Sequence, residues 1–173
     1  MAAHAEAAEH PGVADLPPAL RDAITALHPA AALLRADEIL VERCGAEHRR
    51  DQVVRADLNG DGRADYALLL RIGEPKAVAG EALKSASVWA VVFLARRDGL
   101  YRAFILSKSD DVMIPSRQVI ALRPAGRVQS GGHPERSVTI KQPAVASILC
   151  EGTERIYYWV NRGQTFREFV SKE

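Results

Sequence analysis

Only the beginning of the chain follows a helical period of hydrophobic residues. Leu20, Ile24 and Leu27 recur at helical spacing after two prolines, and they predict a helix that ends at His28. The apolar residues of the segment 31–41 predict a second short helix. The rest of the chain has a different pattern.

From Cys44 onward, hydrophobic residues occur in short runs rich in β-branched and aromatic side chains, separated by turn residues. The triplets 97–99 and 161–163, Arg-Asp-Gly and Asn-Arg-Gly, predict hairpin turns, whereas 75–84 predicts a loop or short helix. This spacing favours an α+β fold that is mostly antiparallel β-sheet, a sandwich or an incomplete barrel or propeller, with a helical N-terminal segment. The predicted strands are residues 53–56, 64–72, 87–95, 101–108, 117–122, 137–141, 144–150, 155–160 and 165–170.

Hydrophobicity also indicates how deeply two of these strands are buried. Residues 88–95 are apolar on both faces, which predicts a central strand covered on two sides. Near the end of the chain, Tyr157, Tyr158 and Trp159 form an aromatic cluster. Such a cluster either packs across strands or offers a platform to a ligand, and its position beside a hairpin turn favours packing.

The composition is that of one soluble domain. The chain has 173 residues, 23 Lys and Arg against 22 Asp and Glu, and 47% hydrophobic residues, which predicts one domain with its own core over residues 15–173. Residues 1–14 carry no core face and predict a disordered end or a tag remnant. A net charge of +1 argues against nucleic-acid binding. The longest apolar run, 88–95, is too short to span a membrane.

Cys44 and Cys150 are the two cysteines of the chain. In an oxidising compartment they can form one disulfide that closes a loop of about 100 residues. In the cytosol they would be two unrelated buried thiols, and their spacing leaves both interpretations open. The first ten residues show neither the basic nor the apolar region of a signal peptide.

The segment 57–65, Asp-Leu-Asn-Gly-Asp-Gly-Arg-Ala-Asp, carries the motif with the clearest chemistry. Oxygen-bearing side chains stand at positions 1, 3, 5 and 9, and Ca²⁺ takes roughly six to eight oxygen ligands. The alternative is a metal-free turn, which leaves the register of the first and last Asp unexplained. Transition metals are disfavoured because the segment has no His or Cys. The candidate ligands are Asp57, Asn59, Asp61, Asp65 and the carbonyl of Arg63, whose side chain is expected to point to solvent.

The far end of this loop distinguishes it from an EF-hand, because Leu68 stands where an EF-hand has a bidentate Glu. The segment 57–67 resembles the calcium loop of FG-GAP and VCBS repeats, the strand-loop-strand element of integrin-like propellers and of many secreted bacterial proteins. The resemblance covers residues 53–70 and implies a Ca²⁺ ion held by the three Asx residues and the ninth-position Asp. Such an ion would pin the turn between 53–56 and 64–72. One copy of the loop does not imply a propeller.

A second segment, 128–136, contains Ser-Gly-Gly-His, and its glycines predict an adaptable tip that presents Ser130 and His133. It resembles the Ser-Gly-containing loop with which periplasmic lysozyme inhibitors and related immunity proteins plug an enzyme cleft. The resemblance implies that Ser130, Gly131, Gly132 and His133 bind a protein partner, a lysozyme-like effector. A plain flexible hairpin tip is the alternative.

Together these features favour a non-catalytic, calcium-binding protein of the bacterial periplasm or cell exterior that acts by binding another protein. Its most concrete version is an inhibitor or immunity protein against a cell-wall-degrading enzyme. Calcium is abundant outside the cytosol and scarce within it, which favours export and the disulfide. A calcium-dependent hydrolase and a carbohydrate- or envelope-binding accessory domain that uses the aromatic cluster are the alternatives.

Overall fold

Two antiparallel sheets face each other, and a helix and a two-stranded ribbon cover their outer faces. The computed structural model describes residues 15–80, 83–133 and 135–172, so the prediction for residues 1–14 lies outside the described part. The helices are α1 (Pro18–Leu27) and α2 (Val41–Cys44), with 3-10 turns at Ala36–Glu38 and Ala46–His48. The strands are β1 (Ala31–Leu33), β2 (Val53–Ala56), β3 (Asp65–Ala77), β4 (Lys84–Ala95), β5 (Tyr101–Ile114), β6 (Gln118–Arg123), β7 (Gly126–Gln129), β8 (Ser137–Ile140), β9 (Ala144–Leu149), β10 (Glu154–Val160) and β11 (Thr165–Lys172).

The first sheet has the strand order β1-β3-β4-β5, and β2 also pairs with β3. The second sheet has the order β11-β10-β9-β6, and β7 pairs with β8 in the ribbon. Every pair between these strands is antiparallel, and in the described residues the sheets stay open and do not close into a barrel. The predicted fold class is confirmed. Within the same residues, no helix has the length and apolar character needed to cross a bilayer.

Strand β4 is the central strand that its apolar run predicts. Its outer face, with Val91 and Phe93, packs against Leu20 and Ile24 of α1. Its inner face, with residues such as Val92, packs toward the second sheet. Since both faces are covered, apolar side chains are stable at every position in the middle of the strand.

The outer face of the second sheet is covered by the ribbon. Ile140 of β8 packs with Ala146 of β9 and Ile156 of β10. The amide of Gln52, which is 1% exposed, joins the two sheets: its Oε1 accepts a hydrogen bond of 3.0 Å from the backbone N–H of Ile120 in β6. The main core therefore lies between the sheets.

The segment 31–41 does not form the predicted helix. Ala31–Leu33 is instead strand β1, and Leu33 pairs with Leu70 of β3. Leucines at helical spacing also suit an extended segment whose side chains reach two cores, and Leu33 and Leu34 belong to different core clusters. Tertiary pairing decides the outcome here.

Two further differences concern strand limits. β3 runs to Ala77, through part of the segment 75–84 predicted as a loop or short helix, and its register shifts between Ile72 and Lys76. Pro75 fits at such an irregularity because proline cannot donate to a regular ladder. Strand β7 was not predicted. The two predicted hairpin turns do connect β4 to β5 and β10 to β11.

Cys44 and Cys150 form a disulfide, with Cα atoms 5.0 Å apart. It joins the end of α2 to the residue after β9. The N–H of Cys150 also donates to the carbonyl of Arg117 at 2.8 Å. The two thiols are therefore not unrelated, and the bridge ties the N-terminal region to the second sheet.

Candidate functional site

The candidate calcium loop, residues 57–64, joins β2 to β3 and turns around the carboxylate of Asp57. Asp57 Oδ1 accepts hydrogen bonds from the N–H groups of Gly60 at 2.7 Å and Asp61 at 3.1 Å. Asp57 Oδ2 accepts one from Gly62 at 2.8 Å. Three backbone donors on one side chain fix a tight turn, the role that Asp plays in many turns.

Asn59 lies beside this carboxylate. Its Oδ1 accepts a hydrogen bond of 3.0 Å from Asp61 N–H, the donor that Asp57 Oδ1 also uses. Because one N–H serves both acceptors, the oxygens of positions 1 and 3 of the motif lie side by side. An amide oxygen and a carboxylate oxygen are thus already adjacent on the loop.

Gly60 is favoured by its backbone conformation and lies close to Gln142. Its φ of +77° lies in the left-handed region, which glycine adopts without strain. A Cβ at this position would lie 2.8 Å from Nε2 of Gln142, in the connection between β8 and β9. The loop therefore packs closely against a residue that leads into the second sheet.

Asp65, at the ninth position, is completely buried. Its Oδ2 accepts a hydrogen bond of 2.9 Å from Leu58 N–H, and its Oδ1 accepts one of 2.8 Å from Ala95 N–H. One carboxylate therefore holds the start of the loop, the start of β3 and the end of β4 together.

The sequence predicts that the side chain of Arg63 points to solvent; in the structure it is partly exposed and folds back onto Asp61 of the same loop. Its Nη1 lies 2.6 Å from Asp61 Oδ2, and the side chains are 35% and 32% exposed. The negative charge gathered by the motif explains this: a guanidinium on the same loop neutralises part of it.

The pKa values of Asp65 and Asp61 are shifted in opposite directions. Burial raises the pKa of Asp65 to about 6, the neighbouring charges of Asp61 and Asp57 add to the increase, and the N–H groups of Ala95 and Leu58 oppose it. Burial also opposes the ionisation of Asp61, but hydrogen bonds from Arg63 and Asn59 outweigh it and lower its pKa. A cation at the loop would favour the ionised form of both groups.

The donor set fits a calcium ion in its chemistry. A carboxylate has about four acceptor positions and an amide oxygen two. Asp57 and Asp61 use three each, Asp65 uses two and Asn59 uses one, so each keeps capacity for a cation. Within the described residues, no group of three or more His, Cys, Asp or Glu side chains is arranged to hold a metal ion. The structure therefore does not bring the carboxylates of Asp57, Asp61 and Asp65 together as one ligand group.

Comparison of the chain with protein-family models, with curated proteins and with solved structures gave no match.

The predicted partner-binding loop connects β7 to β8, and Pro134 within it lies outside the described residues. Gly131, Gly132 and His133 are exposed, as predicted. Ser130 is not: it is 7% exposed, and the next residue, Gly131, donates its N–H to the carbonyl of Ser171 at 2.8 Å. This backbone contact draws Ser130 against the end of β11, so the exposed tip begins at Gly131.

The aromatic cluster near the end of the chain is divided between two faces of β10. Trp159 packs edge-to-face with Phe104 and Phe166, with ring centroids 5.7 and 5.2 Å away, in the space between the sheets. Tyr158 packs with the ribbon on the opposite face. Packing explains these rings, and they do not form one flat platform.

A polar groove lies elsewhere between the sheets, and its residues were not predicted as a site. Ser107 and Ser109 of β5 stand opposite Ser147 of β9 and Tyr157 of β10 across it. The sequence gives only a weak indication of this groove: serines occupy inward-facing positions of β5 where apolar residues are expected. The facing residues lie roughly 40 to 50 positions later, so only the fold brings them together.

Proposed function

We propose that this chain is a non-catalytic, calcium-binding protein of the bacterial periplasm or cell exterior that acts by binding another protein. In its most concrete form it is an inhibitor or immunity protein against a cell-wall-degrading enzyme. The adjacent Asp57 and Asn59 oxygens on the loop between β2 and β3 are the observation that carries the calcium part.

The ion would be held by Asp57, Asn59, Asp61, the carbonyl of Arg63 and Asp65. Hard oxygen donors of this kind suit Ca²⁺, which would act as a structural charge that links the loop to β3. Asp65 already connects the loop to β4, so a charge at this point would strengthen contacts in two strands of the first sheet.

Export is supported by the disulfide between Cys44 and Cys150, since stable disulfides form and persist in oxidising compartments. The same compartments supply enough calcium to fill a site of moderate affinity. The disulfide and the loop are distant in sequence and support the same location independently.

The proposed partner surface is the exposed tip of the ribbon, Gly131 to His133. His133 Nδ1 lies 3.3 Å from Glu135 Oε1, so the tip carries a polar pair next to two small residues. A narrow, glycine-containing projection can enter a concave enzyme cleft, where its backbone approaches the cleft wall closely. The resemblance of this loop to those of periplasmic lysozyme inhibitors suggests that the partner is a cell-wall-degrading enzyme.

The calcium part is tested by thermal unfolding and titration calorimetry of the full chain in chelator and in added Ca²⁺. At about one hundred times Kd, bound calcium should raise Tm by about 5–10 °C. Asp57→Ala should abolish the increase, whereas Asp37→Ala, an exposed Asp far from the loop, should retain it. Unchanged melting together with no binding heat would show that the chain does not bind calcium.

The inhibitor part is tested with a panel of muramidases acting on purified peptidoglycan. At least one should be inhibited at equimolar protein, and a His133→Ala, Gly132→Glu double variant should lose the inhibition. Arg162→Ala, at the tip of the β10–β11 hairpin, is the matched control and should keep it. Full activity of every muramidase in the panel would refute this version of the function.

A further inference from the structure

The groove between the sheets has a volume of about 400 Å³, within the usual range of small-molecule sites. One wall is β5, the edge strand of the first sheet, and the other is the inner face of the second sheet. Because β5 has no strand beyond it in the described sheet, the groove opens at this side to solvent.

At the groove, the inner faces of both sheets change from apolar to hydroxyl-bearing residues. On β5 the change runs from Phe104 to Ser107, which pairs with the buried Ala90 of β4. On β10 it runs from Trp159 to Tyr157. Facing sheets normally bury apolar residues against each other, and a polar interior destabilises the fold unless it is hydrogen-bonded. Here Ser107 and Ser109 are half-buried and Arg155 and Glu168 are exposed, so the polar residues of the two sheets line a solvated cleft.

A chain of hydrogen bonds crosses the floor of the groove. Tyr157 is buried and lies within hydrogen-bonding reach of Ser107 and of Glu168 on β11. Arg155 Nη1 donates to Glu168 Oε1 at 2.7 Å. Burial and Glu168 raise the pKa of Tyr157, so its hydroxyl keeps its proton and donates. These contacts hold the floor in place without a ligand.

Other polar groups in the wall stay available. Gln118 Nε2 donates to Ser147 Oγ at 3.0 Å, which leaves Oε1 of the same side chain able to accept. Among the described residues, the hydroxyls of Ser109 and Thr153 take part in no hydrogen bond within the chain. The wall thus offers groups that can donate and groups that can accept.

The groove carries almost no net charge. Arg155 and Glu168 neutralise each other. The ammonium of Lys108 lies 3.9 Å from the ring centre of Trp89, on the outer face of the first sheet, and so points away. A charged ligand would find no unpaired opposite charge here, whereas hydroxyl groups would find partners of both kinds.

We propose that this groove binds a neutral, polyhydroxylated ligand, a saccharide of one or two rings. Ser109, Thr153 and Gln118 hydrogen-bond its hydroxyls, and the Arg155–Glu168 pair offers a donor and an acceptor to a vicinal pair. The proposal goes beyond protein binding at the ribbon tip and needs neither calcium nor a partner protein.

The test is a titration of the full, uniformly ¹⁵N-labelled chain with cellobiose, maltose and diacetylchitobiose, followed by amide chemical shifts. At least one disaccharide should shift the amides of Ser107, Ser109, Ser147 and Thr153 saturably. Thr153→Val and Ser109→Ala should each weaken that binding by about three- to tenfold, since each removes one hydrogen bond. Thr139→Val, which removes an exposed hydroxyl on the ribbon, should leave it unchanged.

Two results would overturn the proposal. One is the absence of any saturable shift at groove amides with all three sugars. The other is saturable binding that Thr153→Val and Ser109→Ala do not alter, because the sugar would then occupy another surface. Amide spectra of the variants without sugar show whether each remains folded. Neither result bears on calcium or muramidase binding, since the titration contains neither.

Discussion

Asp65 Oδ1 accepts a hydrogen bond of 2.8 Å from the backbone N–H of Ala95, so the first residue of β3 is tied to the last residue of β4. The other oxygen of the same carboxylate holds Leu58 in the candidate calcium loop. The ninth-position Asp of the motif therefore has a structural role before any cation binds.

Replacing this carboxylate should destabilise the fold. Asp65→Asn keeps one acceptor but sets an NH₂ group against a backbone N–H, leaving a buried donor without a partner. We expect a loss of about 1–3 kcal/mol in the free energy of unfolding, measured in urea with chelator present. Asp98→Asn, in the exposed β4–β5 turn, serves as the control. Equal effects of the two variants would contradict the role of Asp65.

The pH dependence of stability should carry the signature of Asp65. Its pKa is raised from 3.8 to about 6 in the folded chain, so the folded state binds the proton more tightly than the unfolded state. The contribution is therefore fully present below about pH 4 and is lost as pH rises through 6, by about 3 kcal/mol at most. The difference in stability between wild type and Asp65→Asn, measured in chelator, should shrink as pH rises. A difference that grows with pH would show that the sign is wrong.

Arg63 should oppose calcium binding, because its guanidinium occupies Asp61. Arg63→Gln keeps the backbone carbonyl and removes the competing charge, so calcium affinity should rise about fivefold in calorimetry. Stability in chelator should change by no more than about 1 kcal/mol, since the pair is partly exposed. Arg96→Gln breaks a similar pair with Asp98, 2.7 Å apart, and should leave calcium affinity unchanged. Weaker calcium binding by Arg63→Gln would exclude competition.

The sequence predicts the strands better than it predicts the contacts between them. The apolar run of β4 indicates burial on both faces because that property is local. The segment 31–41 misleads because its leucines satisfy a helical period, although Leu33 pairs with Leu70 far along the chain. Where one hydrophobic pattern dominates, the local sequence determines whether a helix or a strand forms. Where two patterns fit equally well, contacts with distant parts of the chain decide.

The candidate site shows the same limit. The spacing of Asp57, Asn59 and Asp61 determines a turn, and all the residues that form it are neighbours in the sequence, so it can be predicted. The partner of Asp65 in β4 and the competition from Arg63 depend on three-dimensional contacts, and no motif encodes them. The sequence does not predict the groove for the same reason, since its two walls come from strands that only the fold places opposite each other.

Gln52 should be one of the least replaceable polar residues of the core. Its Nε2 donates to the carbonyl of Arg50 at 2.7 Å, while its Oε1 accepts from Ile120 N–H. Gln52→Leu would leave the buried Ile120 N–H unpaired, at about 1–3 kcal/mol, and would remove a donor from the part-buried carbonyls of Arg50 and His48. Faster hydrogen exchange at the Ile120 amide, compared with Gln129→Leu on the exposed ribbon, would identify the lost bond. Unchanged exchange at Ile120 would mean that another group replaces Gln52.

Removing the disulfide should lower stability by a large amount. Cys44 and Cys150 are 106 residues apart, and closing a loop of that length restricts the unfolded chain by about 4–5 kcal/mol in the chain-entropy model. A Cys44→Ser, Cys150→Ser double variant should therefore unfold at much lower urea, and reductant should bring wild type to the same midpoint. If reductant left the wild-type midpoint unchanged, the bridge would contribute nothing to stability.

The disulfide has a further consequence for a protein exposed to proteases. The interval between its two ends contains β2 to β5 of the first sheet, β6 and β9 of the second sheet, and the ribbon. A single cut anywhere between residues 44 and 150 leaves two pieces that remain covalently joined. A nicked molecule therefore keeps its strands at high effective concentration and can stay assembled. Exposed loops in that interval can tolerate cleavage that would separate an unbridged chain.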